Sequence, residues 1–290
     1  MNNPFGFHDI EAWSRWRDQK LASYPTSADE LIVEVANLAA PSAAELAKIR
    51  QLCKRCNMAL FATGKPDGVG KSVLKSFGAR FGLHQLNFNE GADDEGVTAV
   101  SVVEAQWRKV YIPYTNRRIN WHTDGYYNKS DEQIRGMILY CETPAPEGGE
   151  NALVDHEMAY LHLRELNPDY VRVLMQPDAM TIPANEVDDH IVRPDRPGPV
   201  FSLDASGHLH MRYTARARNI IWKDEPLVTA AVKALSDYLN SKSSSIFHGT
   251  LQSGQGLICN NVLHDRSGFT DSQEQKRLLY RLRYFDRMTD

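Results

Sequence analysis

The segment Asn120–Asn128, NWHTDGYYN, sets a histidine and a carboxylate two residues apart. In a strand, or at its end, residues i and i+2 lie on the same side, so His122 and Asp124 can present an imidazole and a carboxylate to one point. That geometry supplies two metal ligands. His264, in NNVLHDRSGF, is the best candidate for a third, another polar histidine at the end of an apolar strand pattern. Two histidines and one carboxylate on one face form the facial triad that suits non-haem Fe(II) and leaves the opposite coordination positions open for catalysis. Taken singly, an HxD pair or a lone histidine is more often an ordinary surface or core residue. The last strand pattern, KRLLYRLRYFD, changes the balance, because Arg277, Arg281 and Arg283 share one face with Leu279. Three guanidinium groups on such a face call for anions, unless the strand is a solvated edge.

The elements that must position these residues are mostly strands. Beyond residue 97, VTAVSVV, KVYIPYT, GMILYCET, DAMTIPA, PVFSLD, HLHMRYT, SSIFHGTL, GQGLICNNVLH and KRLLYRLRYFD all have strand composition. Two helical stretches interrupt them, residues 155–176 and 227–241. Before residue 97 the chain alternates between the two types: LIVEV and MALFAT read as strands, and residues 42–56 as an amphipathic helix opened by Pro41-Ser42. Many strands without regularly alternating helices predict a mainly β, α+β chain with a closed or double-sheet architecture.

Several other motifs carry less. GKPDGVGKS, Gly64 to Ser72, stands between a strand and a helix as a phosphate-binding loop would. The glycine required five residues before Gly-Lys-Ser is replaced by Lys65, so a plain strand-turn-helix is the expectation. Cys53 and Cys56 form a CxxC pair inside a helical pattern with Cys141 and Cys259 remote from it, which favours buried, reduced thiols over zinc or redox exchange. His208 and His210 share a strand face without a third ligand nearby in sequence. RYTARARN, Arg212 to Asn219, is a basic loop that either leans into the pocket or meets an oligomer neighbour, and Phe5, Phe7, Trp13 and Trp16 make a packing arm or a dimer contact.

At 290 residues and 42% apolar content the chain can bury a sizeable core. Its net charge of −4 offers no basic field for nucleic acid, no apolar run is long enough to span a bilayer, and the N-terminus lacks a signal-peptide pattern. A cytoplasmic protein with a small-molecule partner, as a monomer or a homo-oligomer, is the expectation.

Taken in order, WHTDG at 121–125, PEGGEN at 146–151 followed by Leu-Val-Asp, and LHDRSGF followed by KRLLYRLRYF resemble the Fe(II)/2-oxoglutarate-dependent dioxygenases of the taurine dioxygenase-like (TauD/TfdA) type. The resemblance implies a double-stranded β-helix, a jelly roll related to the cupins, over residues 97–290, with residues 1–96 packed on it in a single catalytic domain. It implies His122, Asp124 and His264 as iron ligands and Arg277 as the partner of the distal carboxylate of 2-oxoglutarate. Arg281 falls where relatives contact the other carboxylate or an anionic substrate. Arg266 becomes a supporting partner at that end of the site. Asn151 stands where some relatives carry a threonine that bonds the cosubstrate; its amide can donate the same kind of bond. The implied reaction consumes O2 and 2-oxoglutarate, releases succinate and CO2, and oxidises, most simply hydroxylates, a small polar or zwitterionic metabolite. Desaturation and cyclisation stay open, as does a non-catalytic cupin-like metal-binding protein. Retention of Asp124 speaks against a halogenase. Tyr126 and Tyr127, with Trp121 and Tyr114, either line the substrate or are core aromatics. The tyrosine pair also resembles the γ-butyrobetaine hydroxylase branch, where aromatics surround a trimethylammonium group.

Overall fold

A computed structural model describes residues 3–64, 66, 69–88, 92–102, 112–187, 190–216 and 220–289. Two sheets carry the architecture. The strands that form them are β1 (Ile32–Val35), β2 (Met58–Thr63), β3 (Thr98–Val100), β4 (Ile119–His122), β5 (Gly136–Thr143), β6 (Asn151–Val154), β7 (Phe247–Gly249), β8 (Gln255–Cys259), β9 (Leu263–Arg266) and β10 (Leu278–Tyr284). The larger sheet runs β1-β2-β8-β5-β10-β3, and the smaller β7-β6-β9-β4. Every pairing in both is antiparallel except β1 with β2.

The N-terminal part does more than pack on a β-rich body. Its β1 and β2 extend the larger sheet through β8, and one hydrophobic cluster runs from Phe5 to Tyr284. Helix α2 (Ala43–Cys56) makes this possible. Ser42 accepts from the Glu45 amide while Glu45 accepts from the Ser42 amide, a reciprocal cap that satisfies two orphan donors. Ile49, Leu52, Cys53 and Cys56 then face inward, and Asn57 ends the helix in the left-handed region at φ 58°.

Sheet register aligns one row across the larger sheet: Ile32, Leu60, Leu257, Leu139, Arg281 and Thr98. Side chains in such a row share a face. It is aliphatic until Arg281. Between this face and the smaller sheet lies a cavity of about 180 Å³, lined by Leu60, Leu139 and Leu257 on one side and Leu153 and Phe247 on the other, with Asn151 and His264 in its wall.

Helices α4 (His156–Leu166) and α5 (Pro168–Leu174) replace the single helix expected over 155–176. Proline at 168 cannot continue the hydrogen-bond ladder, and Asn167 instead caps α5 by accepting from the Asp169 amide. In KVYIPYT, Lys109 to Tyr111 fall outside the described residues. Ile112–Tyr114 is a short 3-10 turn and not a strand. Proline at 113 has no donor for a ladder. Phe5 and Trp13 pack with Trp16 and Tyr160 in edge and tilted contacts of 4.9–6.0 Å, so the aromatic N-terminus is a packing arm. No helix among the described residues is long and apolar enough to cross a membrane.

Candidate metal centre

His122 ends β4 and His264 lies in β9, directly opposite it in the antiparallel register. Their rings are 4.2 Å apart between centroids. Each imidazole is oriented by its own chain: His122 Nδ1 lies 2.9 Å from the Asn120 carbonyl and His264 Nδ1 2.9 Å from the Val262 carbonyl. A carbonyl accepts, so both Nδ1 atoms donate, and in a neutral imidazole of this tautomer the lone pair falls on Nε2. Asp124 completes the group, its Oδ1 3.9 Å from His122 Nε2. One ligand atom from each of the three lies within 4.8 Å of the others, the one such group among the described residues.

Protonation states fit cation binding. Burial and the neighbouring His264 push His122 down to about 3, so its imidazole is neutral. Burial alone would raise the Asp124 carboxyl, but Arg281 and Arg283 outweigh it and hold it well below the usual carboxylate range. Asp124 Oδ2 is buried without a hydrogen-bond partner. An orphaned carboxylate oxygen beside two imidazole lone pairs is the donor set a divalent iron takes in a facial triad.

The backbone that aims Asp124 is fixed from a distance. The Asp124 amide donates to Asn261 Oδ1 at 2.8 Å, and Asn261 Nδ2 donates to the carbonyls of Asp124 at 2.9 Å and Ile134 at 2.6 Å. Gly125 follows at φ +68°, where a Cβ would sit 2.4 Å from Ile134. Asn261 escaped the sequence reading. Its signal, a buried asparagine at φ 52°, exists only in the folded chain.

The arginines divide by task. Arg281 Nη1 lies 3.3 Å from Asp124 Oδ1. Arg277 is buried over the Phe269 ring at 5.1 Å, and its Nη1 has no partner. Burial pulls its guanidinium down to about 10, still charged at neutral pH. Arg266 Nη2 donates to the Thr115 and Arg117 carbonyls at 2.8 and 2.6 Å and so braces the loop before β4. Asn151 sits in the cavity wall, with one amide hydrogen committed to the Asp265 carbonyl at 2.7 Å.

Of the aromatic residues, Trp121 lies one position from His122 in β4 and so faces away from it, at 5% exposure in the hydrophobic cluster. It packs as a core residue. Tyr126 and Tyr127 are half-buried and meet edge to face at 5.3 Å. Arg212 Nε donates to the Tyr126 carbonyl at 2.8 Å, and Arg283 Nη1 to the Tyr127 hydroxyl at 2.9 Å.

The remaining motifs are structural. Cys53 and Cys56 are buried, their thiols pushed up by burial, Cys56 to about 12, which removes thiolate chemistry. His208 pairs with Asp204 at 3.1 Å at the surface. His210 belongs to no metal-binding group among the described residues. In the loop after β2, Lys65, Asp67 and Gly68 lie outside the described residues; the helix Lys71–Ala79 follows, and the Lys71 ammonium pairs with Asp93. In RYTARARN, Ala217 to Asn219 also lie outside them, while Thr214 bridges His122 and so runs beside β4.

The buried group of two histidines and one carboxylate has the donor set of a facial triad. A family model for the taurine catabolism dioxygenase TauD, TfdA family matches residues 19–283, and the chain belongs to this family of iron- and 2-oxoglutarate-dependent dioxygenases, oxidoreductases that use O2. A uridine-5'-phosphate dioxygenase of Amycolatopsis sp is 30% identical over 173 residues, which span 57% of this chain and 60% of that protein. A trimethyllysine dioxygenase of Meyerozyma guilliermondii is 27% identical over 169 residues, 54% of this chain and 40% of that one. The chain thus spans less than two thirds of either curated relative. A non-haem iron oxygenase solved with Fe and α-ketoglutaric acid shares the fold at a TM-score of 0.62 and 15% identity, covering 85% of this chain and 81% of that one.

Proposed function

We propose that this chain hydroxylates a small anionic metabolite in an Fe(II)- and 2-oxoglutarate-dependent reaction, within a single domain built on a double-stranded β-helix. The observation that carries the reading is the convergence of His122, Asp124 and His264 within 4.8 Å; a buried Arg277 nitrogen without a hydrogen-bond partner among the described residues supports it. His122 and His264 Nε2 and an Asp124 oxygen would hold the iron. Arg277 would bind the distal carboxylate of 2-oxoglutarate through charge-assisted hydrogen bonds. Arg281, in contact with Asp124, would steady that carboxylate and face the cosubstrate's other end. Bound iron and 2-oxoglutarate supply O2 activation, with decarboxylation to succinate and CO2 and oxidation of a substrate C–H bond. The aliphatic wall of Leu139, Leu153 and Leu257 keeps water from the cosubstrate.

An anionic substrate is favoured over a quaternary ammonium. Tyr127 is engaged by the guanidinium of Arg283, so a trimethylammonium group against this ring would meet a like charge. The uridine-5'-phosphate dioxygenase relative, named for an anionic nucleotide, is consistent with this preference.

The test is succinate formation from 2-oxoglutarate with Fe(II), ascorbate and oxygen. Wild-type protein should show at least uncoupled turnover, and His122→Ala none. A wild-type protein that makes no succinate, alone or with a panel of anionic metabolites, would rule the proposal out.

A further inference from the structure

On the smaller sheet, register aligns Phe247, Leu153, His264 and His122 in one row. It faces the row on the larger sheet that runs from Ile32 through Leu60, Leu257 and Leu139 to Arg281. Each row is apolar at one end and carries the polar side chains of the site at the other. The cavity of about 180 Å³ fills the apolar end. His264 stands in its inner wall, one strand spacing of about 4.8 Å from His122. Its outer end lies where both sheets stop, at the edge strands β1 and β7, and Asp29, Ile32 and Gly249 are exposed there.

The lining decides what this space can hold. No lysine or arginine lines it among the described residues. Arg277 and Arg281 anchor 2-oxoglutarate in the dioxygenase reading, on which this inference rests, and they stand at β10, on the far side of β5 from Leu60 and Leu257. Asp29 sets a carboxylate at the outer end, and Leu257, Leu153 and Phe247 are buried further in. A dianion would meet a like charge on entry and then be buried without a partner, which is strongly unfavourable. A small neutral molecule meets neither obstacle, and apolar cavities of about 150 Å³ stay dry and take up xenon. Dioxygen, the neutral apolar reactant that this family consumes, belongs to the same class.

We infer that this cavity is a dioxygen channel, which admits O2 between β1 and β7 and delivers it to the His264 side of the metal centre, apart from the arginine side. Gly249 keeps its outer end open. It pairs with Asn151 and shares a face with Phe247, so a side chain at this position would project into the channel, where its Cβ meets nothing within 4 Å.

Occupancy is read by NMR of metal-free protein with labelled leucine methyls under dissolved O2. The paramagnetic gas should broaden Leu153 and Leu257 more than the fully buried Leu163 and Leu235, which lie outside the cavity. Delivery is read by the oxygen dependence of succinate formation. Gly249→Leu and Leu60→Phe, which obstruct the outer end and the middle, should each lower kcat/KM for O2 by about threefold or more, while kcat at saturating O2 and the KM for 2-oxoglutarate stay within about twofold. Gly249→Leu carries the test if the phenylalanine variant fails to fold. Absence of excess broadening in wild type, an unchanged kcat/KM for O2 in Gly249→Leu, or a raised KM for 2-oxoglutarate in place of the oxygen effect overturns the inference. Wild-type protein that makes no succinate removes the dioxygenase reading and delivery with it, while the broadening still decides occupancy. Protein that makes succinate without either oxygen effect loses only the channel.

Discussion

Asn261 is the place to break the metal centre without touching a ligand. Its side chain makes three hydrogen bonds, to the Asp124 amide, the Asp124 carbonyl and the Ile134 carbonyl, all in buried surroundings. At about 1 kcal/mol net for each, Asn261→Ala should cost about 3 kcal/mol, with roughly 1 kcal/mol more because alanine tolerates the left-handed φ of 52° poorly. Asn261→Gly removes the same bonds while accepting that φ, so the difference between the two variants isolates the backbone contribution. In a chain of this length such losses lower Tm by on the order of 10 °C. The sharper readout is Fe(II) affinity. Freed from Asn261, the Asp124 backbone no longer aims its carboxylate at the two imidazoles, and iron should bind about 10- to 100-fold more weakly, with activity partly regained at high Fe(II). Anaerobic Fe(II) titration of the glycine variant, below its melting temperature, measures this. An unchanged Kd in protein that has lost stability would refute the idea that Asn261 positions the ligand, and leave it as a fold-stabilising residue only.

Two further outcomes follow from other parts of the structure. Arg277→Met, which keeps the stem against Phe269 and removes the charge, should raise the KM for 2-oxoglutarate by about 100-fold with a smaller effect on substrate affinity, as expected for losing hydrogen bonds to a carboxylate; an unchanged KM in steady-state kinetics would remove Arg277 from the cosubstrate site. Metal-free protein should lose stability as pH falls from about 6.5 toward 3, because burial holds His122 and His210 down to about 3 while the unfolded chain protonates both near 6.5. His210→Gln should lessen that slope by up to about 1.4 kcal/mol per pH unit, read as urea midpoints between pH 7 and 5, and identical slopes would show that His210 is not held neutral.

The grouping of the candidate ligands was legible because part of it is written in local spacing. His122 and Asp124 are i and i+2, and Arg281 and Arg283 alternate along one strand with Arg277 just before its start, so period-two geometry predicts a shared side for each pair. Strands as regular as GMILYCET appear with the expected ends. What escaped depends on partners remote in sequence. Asn261 reads as a turn asparagine until the fold brings Asp124 and Ile134 to it. Trp121 shares a motif with His122, but adjacency in a strand sends it to the opposite face and into the core. The division of the helix at Asn167-Pro168 and the 3-10 turn at Ile112–Tyr114 were marked by prolines whose local effect outweighs the apolar pattern around them. The joining of β1 and β2 to the larger sheet is a long-range pairing with β8, which composition cannot specify.

The pairing of His264 with His122 across β9 and β4 also imposes an order on the appearance of reactivity. A chain emerging from the ribosome displays His122 and Asp124 before the opposite imidazole of β9 and the arginine face of β10 have been made. In the proposed reading, a chain cut short before β9 would offer iron two ligands and 2-oxoglutarate no anchor, so the site would form only once β9 and β10 had joined their sheets.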